Sequence, residues 1–313
     1  MKIYHLAITA FSTITFLSGA FGQNEIIQKE ENVVKLSPVV FGGNRYVIEA
    51  DFGLEEKVPL MVHGNANLYL MITHDIAEKL NEGNPVEKTR DYGYSEKGMG
   101  RVDVEKFQIG NKTFSNVKNV PVFDWPETEG KAAQGMIGIN FLEIENVKVD
   151  FVNEQMVIGT GLTEEPDQSL INQGYAFTRF FIKNGEGYMN VYFNAFKKEI
   201  PITVGTVSDS YSLDVVTFKD AIEIEETDSE GHSPDGTTPQ IFTNAVPIKY
   251  RIADQSFEIP CRKAELYSFA EYENISQSQL FPFGIFGRDW MKENNAVIDY
   301  ANKILYFKMA DKE

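Results

Sequence analysis

Apolar and polar positions alternate along most of this chain in short runs, the period of a strand with one buried face. Runs over 37–41, 46–52, 58–62 and 68–72 are separated by Gly-Gly-Asn, Gly-Leu-Glu-Glu and His-Gly-Asn, whose turn-forming residues interrupt the pattern. Helical spacing is rare. Over 73–80 the pattern is that of one short helix, with Thr73 as N-cap and Leu80 before Asn81. Further strands are expected over 101–109 and 113–123, around a Gly110-Asn111 turn, and over 147–158. Residues 24–35 are polar and charged and read as a loose lead-in.

The stretch 159–174, rich in Gly, Thr, Pro and acidic residues, reads as a linker. Beyond it the pattern restarts, with strands expected over 176–182, 188–193, 200–204, 241–250, 256–259 and 296–307, and a short helix near 216–222. Residues 223–240 are acidic and rich in Gly, Pro and Thr, which points to a mobile loop. The two halves are copies. Pro59-Leu-Met-Val-His-Gly aligns without a gap with Pro201-Ile-Thr-Val-Gly-Thr, so that Val62 falls on Val204 and His63 on Gly205. Gly135-Met-Ile-Gly falls on Gly284-Ile-Phe-Gly, and at the same spacing Asp150-Phe-Val-Asn falls on Asp299-Tyr-Ala-Asn. A long unit present twice predicts duplicated lobes, over 36–158 and 175–308, and not a solenoid. The fold class is all-β with few short helices.

Composition adds three limits. Residues 1–22 have the form of a signal peptide: Lys2, an apolar stretch over 6–17, then Ser18-Gly19-Ala20-Phe21-Gly22 for cleavage. The expected product is exported, periplasmic or extracellular, and free of the membrane once the leader is removed; an uncleaved N-terminal anchor is the rival. Cys261 is the only cysteine, so no intramolecular disulfide can form, and it reads as a small buried residue. The formal charge of −17 argues against nucleic acid or an anionic membrane as partner. It fits simple solubility, with an acidic cleft for basic peptides as a further option.

The order of elements resembles the pepsin and retropepsin group of aspartic peptidases. The residues that carry the resemblance are the two aligned turns, Met136-Ile137-Gly138 with Ile285-Phe286-Gly287, and the hairpin pairs Asp150/Asn153 and Asp299/Asn302. It extends over about 36–308 and, with short loops and no disulfides, is more similar to the bacterial retropepsin-like proteins than to pepsin itself. The resemblance implies a two-lobed pepsin-like β-barrel fold with a cleft between the lobes. It also implies an Asp-Thr/Ser-Gly turn at the end of an apolar strand in each lobe. Two such carboxylates share one proton, one acting as base toward water and the other as acid toward the carbonyl. Here those turns are His63-Gly64-Asn65 and Gly205-Thr206-Val207, so both catalytic aspartates are gone and only Thr206 stands in its expected place. Asp209 is the nearest acid in the second turn, and it pairs in the repeat with Asn67.

The resemblance therefore implies a pseudopeptidase that binds an extended peptide or protein segment in the interlobe cleft. It would do so as a monomer, without cofactor or metal and with no catalytic residue at His63 or Gly205. Tyr92 and Tyr94, where the group carries its substrate-covering flap, and Thr206 are the expected peptide contacts. The alternatives are an active aspartyl-type peptidase with a different catalytic arrangement, and a purely structural exported surface protein. His63 could also serve as a replacement base or a metal ligand, but His74 and His232 lie at no ligand spacing from it, and it reads more simply as a turn histidine in an exposed cleft. Asp150 and Asp299 read as turn acceptors for backbone N–H groups, and Trp290 and Phe141 as core.

Overall fold

The computed structural model describes residues 32–40, 44–84, 86, 88–89, 99–123, 132–163, 165–207, 211–230, 239–272 and 283–308. They form two β-rich, barrel-like lobes in a pepsin-like arrangement, built twice to one plan. In the first lobe the strand Val58–His63 pairs antiparallel with Asn44–Asp51 and parallel with Gly135–Gly138. Gly135–Gly138 in turn pairs antiparallel with Leu70–Ile72, which pairs parallel with Lys112–Val122. The second lobe repeats each step. Lys198–Val204 pairs antiparallel with Glu186–Phe193 and parallel with Gly284–Phe286. Gly284–Phe286 pairs antiparallel with Tyr211–Asp214, which pairs parallel with Ala264–Tyr267. Each polar turn thus leaves a strand flanked on both sides, and its position is fixed by two ladders.

The halves share a sheet. Its strands run in the order Asn32–Lys35, Gln155–Ile158, Val147–Asp150, Val297–Asp299, Ile304–Phe307 and Ala176–Lys183. The first three come from one half of the repeat and the last three from the other. They join where Lys148, Val149 and Asp150 face Asp299, Ile298 and Val297. On one face of these central strands Val147, Val149, Ile298, Leu305 and Phe307 are almost fully enclosed, and on the other Val297, Ile304 and Tyr306 are buried in a second cluster.

Several sequence expectations change. Asn32–Lys35 is a strand and not loose lead-in, because Val34 alternates into the core and the backbone pairs with Gln155–Ile158. Residues 224–230, expected in a mobile loop, form the strand Ile224–Glu230, whose polar residues suit a sheet edge paired on one side only with Gln240–Asn244. The runs 147–158, 241–250 and 296–307 are each broken into two strands by a turn. Asp150 and Asp299 make two of these turns. Asp150 accepts from the N–H groups of Val152 (2.9 Å) and Asn153 (3.0 Å), and Asp299 from that of Asn302 (3.0 Å). The stretch read as linker contains a short helix, Gln168–Asn172, capped by the Asp167 carboxylate. The first helix is His74–Leu80; Thr73 has the N-cap backbone conformation but its hydroxyl makes no cap bond. The helix near 216–222 is Val215–Phe218, capped by Asp214. Trp290 and Phe141 are fully buried, as expected. Cys261 is exposed, because it follows Pro260 in the turn that leaves the strand Gln255–Ile259, where no core face remains to receive it.

Candidate functional site

The first turn forms as the apolar strand Val58–His63 runs out. The His63 carbonyl accepts from Ala66 N (3.2 Å), and Asn65 N donates to His63 Nδ1 (3.3 Å), so the imidazole caps its own turn. The second turn starts at Gly205, whose N–H is held by the Phe286 carbonyl at 2.9 Å. Both belong to the outward ends of strands whose other residues pack the lobe interiors, and this brings polar backbone to the junction between lobes.

The two turns touch. Gly64 N donates to Thr206 Oγ1 at 2.7 Å, and Thr206 Oγ1 donates to the Val62 carbonyl at 3.0 Å. One hydroxyl thus satisfies a donor and an acceptor of the opposite lobe. Thr206 is buried, so its hydroxyl is engaged within the protein. The bond cannot be returned, because the matching residue in the first turn is Gly64. An ideal Cβ at Gly64 would lie 2.3 Å from Tyr300 Oη and 3.1 Å from Thr206 Cγ2. The tyrosine hydroxyl fills the place that a side chain at residue 64 would take. Burial pushes the Tyr300 pKa up, so the phenol stays protonated, and its oxygen has no hydrogen-bond partner among the described residues. Val207 packs against a methionine-lined patch of the first lobe formed with Met61, Met71 and Met136.

Electrostatics at the junction are set by His63. It is half-buried, and its pKa is drawn down from 6.5 to about 4, first by burial and then by the positive charge of Arg45. The ring is therefore neutral near pH 7. With Nδ1 accepting from Asn65 N, the proton sits on Nε2. Such a group is a weak base, and among the described residues no acid acts on it to form a proton relay. Gly205 supplies no functional group at all. Among the described residues no cluster of three His, Cys, Asp or Glu side chains gathers in a way that could hold a metal. Tyr92, Tyr94, Asp209 and His232 lie outside the described residues. A cavity of about 1010 Å³ lies away from the junction, in the second half, around Tyr192, Tyr211, Lys249 and Arg251.

Tyr300 is the site residue that sequence reasoning passed over. The repeat contains a trace of it: Phe151 in the first half aligns with Tyr300 in the second, one hydroxyl longer. Only the fold shows that this oxygen points at Gly64.

No protein-family model matches the chain, and no characterised protein matches it by sequence. Among solved structures, it is similar to conglutin gamma, a basic 7S globulin from lupine seeds, at 10% identity and a TM-score of 0.46, covering 90% of this chain and 96% of that one. Basic 7S globulin from soybean aligns at 12% identity and a TM-score of 0.45, covering 90% and 95%.

Proposed function

We propose that the chain is an exported, non-catalytic protein of the aspartic-peptidase fold that holds an extended peptide or protein segment between its lobes. The observation that carries this reading is the contact between the turns. The lobes meet through the Thr206 hydroxyl and the Gly64 N–H, with no carboxylate in either described turn segment. Hydrolysis by this fold needs two acids sharing a proton across that junction. A neutral imidazole opposite a glycine cannot divide the roles of base and acid.

Binding asks less of the site than catalysis. An extended segment needs strand edges, a few side-chain pockets and a cover, which are backbone properties of the fold and survive loss of the acids. Tyr92 and Tyr94 are the contacts proposed for the cover. Export is proposed from the N-terminal leader; no helix among the described residues is long and apolar enough to cross a membrane.

The test is a peptide-library assay across acid and neutral pH, paired with a binding measurement on the same library. Binding without cleavage, weakened by Tyr94→Ala, is the expected result. Turnover with a bell-shaped acid profile, blocked by a transition-state mimic, would overturn the reading and direct attention to Asp209. Failure to bind any peptide would favour a purely structural role.

A further inference from the structure

The cavity of about 1010 Å³ in the second half lies apart from the junction between the turns. It opens beside the hairpin of Ile248–Ile252 and Gln255–Ile259. That hairpin meets the end of Glu186–Phe193 through Tyr192 and Phe193, and Gln255–Ile259 pairs only with its own hairpin partner among the described residues. Tyr211, Tyr250 and Phe257, otherwise buried in the core, form an aromatic wall. The Tyr250 and Phe257 rings stack with centroids 5.2 Å apart. Both phenols of the wall are already satisfied: Trp290 Nε1 donates to Tyr250 Oη at 2.8 Å, and Tyr211 Oη donates to Glu293 at 2.9 Å. Glu293 also meets Lys263 at 3.4 Å, so its charge is engaged.

The rim has the opposite character. Lys249 and Arg251 are exposed and stand two apart in one strand, on one face, and Lys197 joins them from the turn after Glu186–Phe193. None of the three has a carboxylate within ion-pair distance among the described residues. The Arg251 guanidinium is held over the Tyr192 ring, 4.4 Å from its centroid. Stacking uses one face of the guanidinium and leaves its N–H edge for an acceptor. Ser256, directly across the ladder from Arg251, adds a hydroxyl at the same rim. Glu258, across from Lys249, is the one rim acid that no ion pair engages among the described residues. Cations on a strand face are ordinarily a solvated surface. Here they surround a cavity, one of them is fixed by stacking, and none is neutralised.

We propose that this cavity binds a small amphipathic anion, an organic body bearing a carboxylate or a phosphate. The body lies against Tyr250 and Phe257, and the anion is held by Arg251, Lys249 and Ser256. The planar fork of arginine matches two oxygens of either group, and such charge-assisted bonds are the stronger kind. The cavity has the size of small-molecule sites. The preference is local, against a net charge of −17 for the whole chain. The site is separate from the interlobe junction and stands whether or not a peptide is held there.

Three probes on one ring system test it by isothermal titration calorimetry on the full chain: naphthalene-2-carboxylate, 2-naphthyl phosphate and the neutral naphthalene-2-carboxamide. At least one anion is expected to bind about tenfold or more tighter than the amide, and which one does so identifies the anionic group. Arg251→Gln combined with Lys249→Gln should bring that anion to within about threefold of the amide, and Glu258→Gln should tighten it by about threefold. These side chains are exposed, and near-UV circular dichroism confirms that the variants remain folded. Should the double variant fail to fold, Glu258→Gln carries the test. Equal binding of the amide and both anions overturns the proposal, as does binding of none of the three up to about 5 mM. A preference unchanged in the folded double variant, or an affinity unchanged in Glu258→Gln, overturns it too.

Discussion

At His63 two effects act in one direction. Burial and the Arg45 charge both disfavour the imidazolium, taking the pKa from 6.5 to about 4. Between those values the unfolded chain binds a proton that the folded chain does not. Stability is therefore fully present above the unfolded value and falls as pH drops from about 6.5 toward about 4. The loss attributable to this residue is at most on the order of 3–4 kcal/mol, at about 1.4 kcal/mol for each unit of displacement. Other groups titrate in the same range, so the measurement is a difference. Chemical denaturation of the wild type and of His63→Gln across this window should show the wild type losing its relative stability as pH falls. A difference that stays flat with pH would show that the imidazole is not held neutral by its surroundings.

The turns form the next scale, where Gly64 and Tyr300 act as one unit. A methyl at residue 64 meets the Tyr300 hydroxyl, and overpacking of this kind costs about 1–3 kcal/mol. Removing the hydroxyl frees that space and also removes a buried oxygen without a partner. In a double-mutant cycle Gly64→Ala should destabilise the wild type clearly and the Tyr300→Phe background by less than half as much, giving a coupling of about 1 kcal/mol or more. Additive effects, read by thermal denaturation, would refute the contact. The same geometry bears on catalysis. Rebuilding Asp-Thr-Gly over 63–65 and 205–207 introduces a threonine at residue 64, and an aspartate at residue 205 starts with its Cβ 2.6 Å from Ile285 Cγ2. Acid-range peptidase activity is thus expected only when Tyr300→Phe and a smaller side chain at residue 285 accompany the rebuilt turns.

These elements also show how far the sequence is legible. The paired turns, the Gly-apolar-apolar-Gly strands and the Asp-aromatic-x-Asn hairpins repeat in the chain, and each occupies equivalent positions in the two lobes. Their signal is local, carried by turn chemistry and period. What stayed hidden depends on the tertiary surroundings of each residue. Ile224–Glu230 is too polar to announce itself as a strand and is made one by pairing at a sheet edge. Cys261 follows its chemistry only where a core is within reach, and it sits in a turn. The Gly64–Tyr300 contact joins residues from opposite halves, and neither residue type reveals it.

Over the whole molecule, the shared sheet makes the lobes one structural body. Three strands of one half continue into three of the other through the ladder where Val147–Asp150 meets Val297–Asp299. Struts reinforce this: Lys292 reaches Glu154 at 3.0 Å, where Tyr46 Oη also donates, and Lys148 lies 3.0 Å from Asp167 and 3.9 Å from the buried Asp299. Separating the lobes would expose both faces of the central strands and leave a ladder of backbone groups unpaired. Calorimetry should therefore record one cooperative transition, and residues 32–158 or 175–308 produced alone should not fold. Two resolved transitions would show that each lobe stands independently.

The single-sided bond at Thr206 has a consequence for self-association. Two first lobes brought together would set Gly64 N–H against Gly64 N–H, with no hydroxyl to accept either. Two second lobes would set Thr206 against Thr206, but each Val207 would lose the methionine-lined patch that receives it. Each half is complementary to the other and not to itself, so the divergence of the two turns commits the fold to one copy of each half.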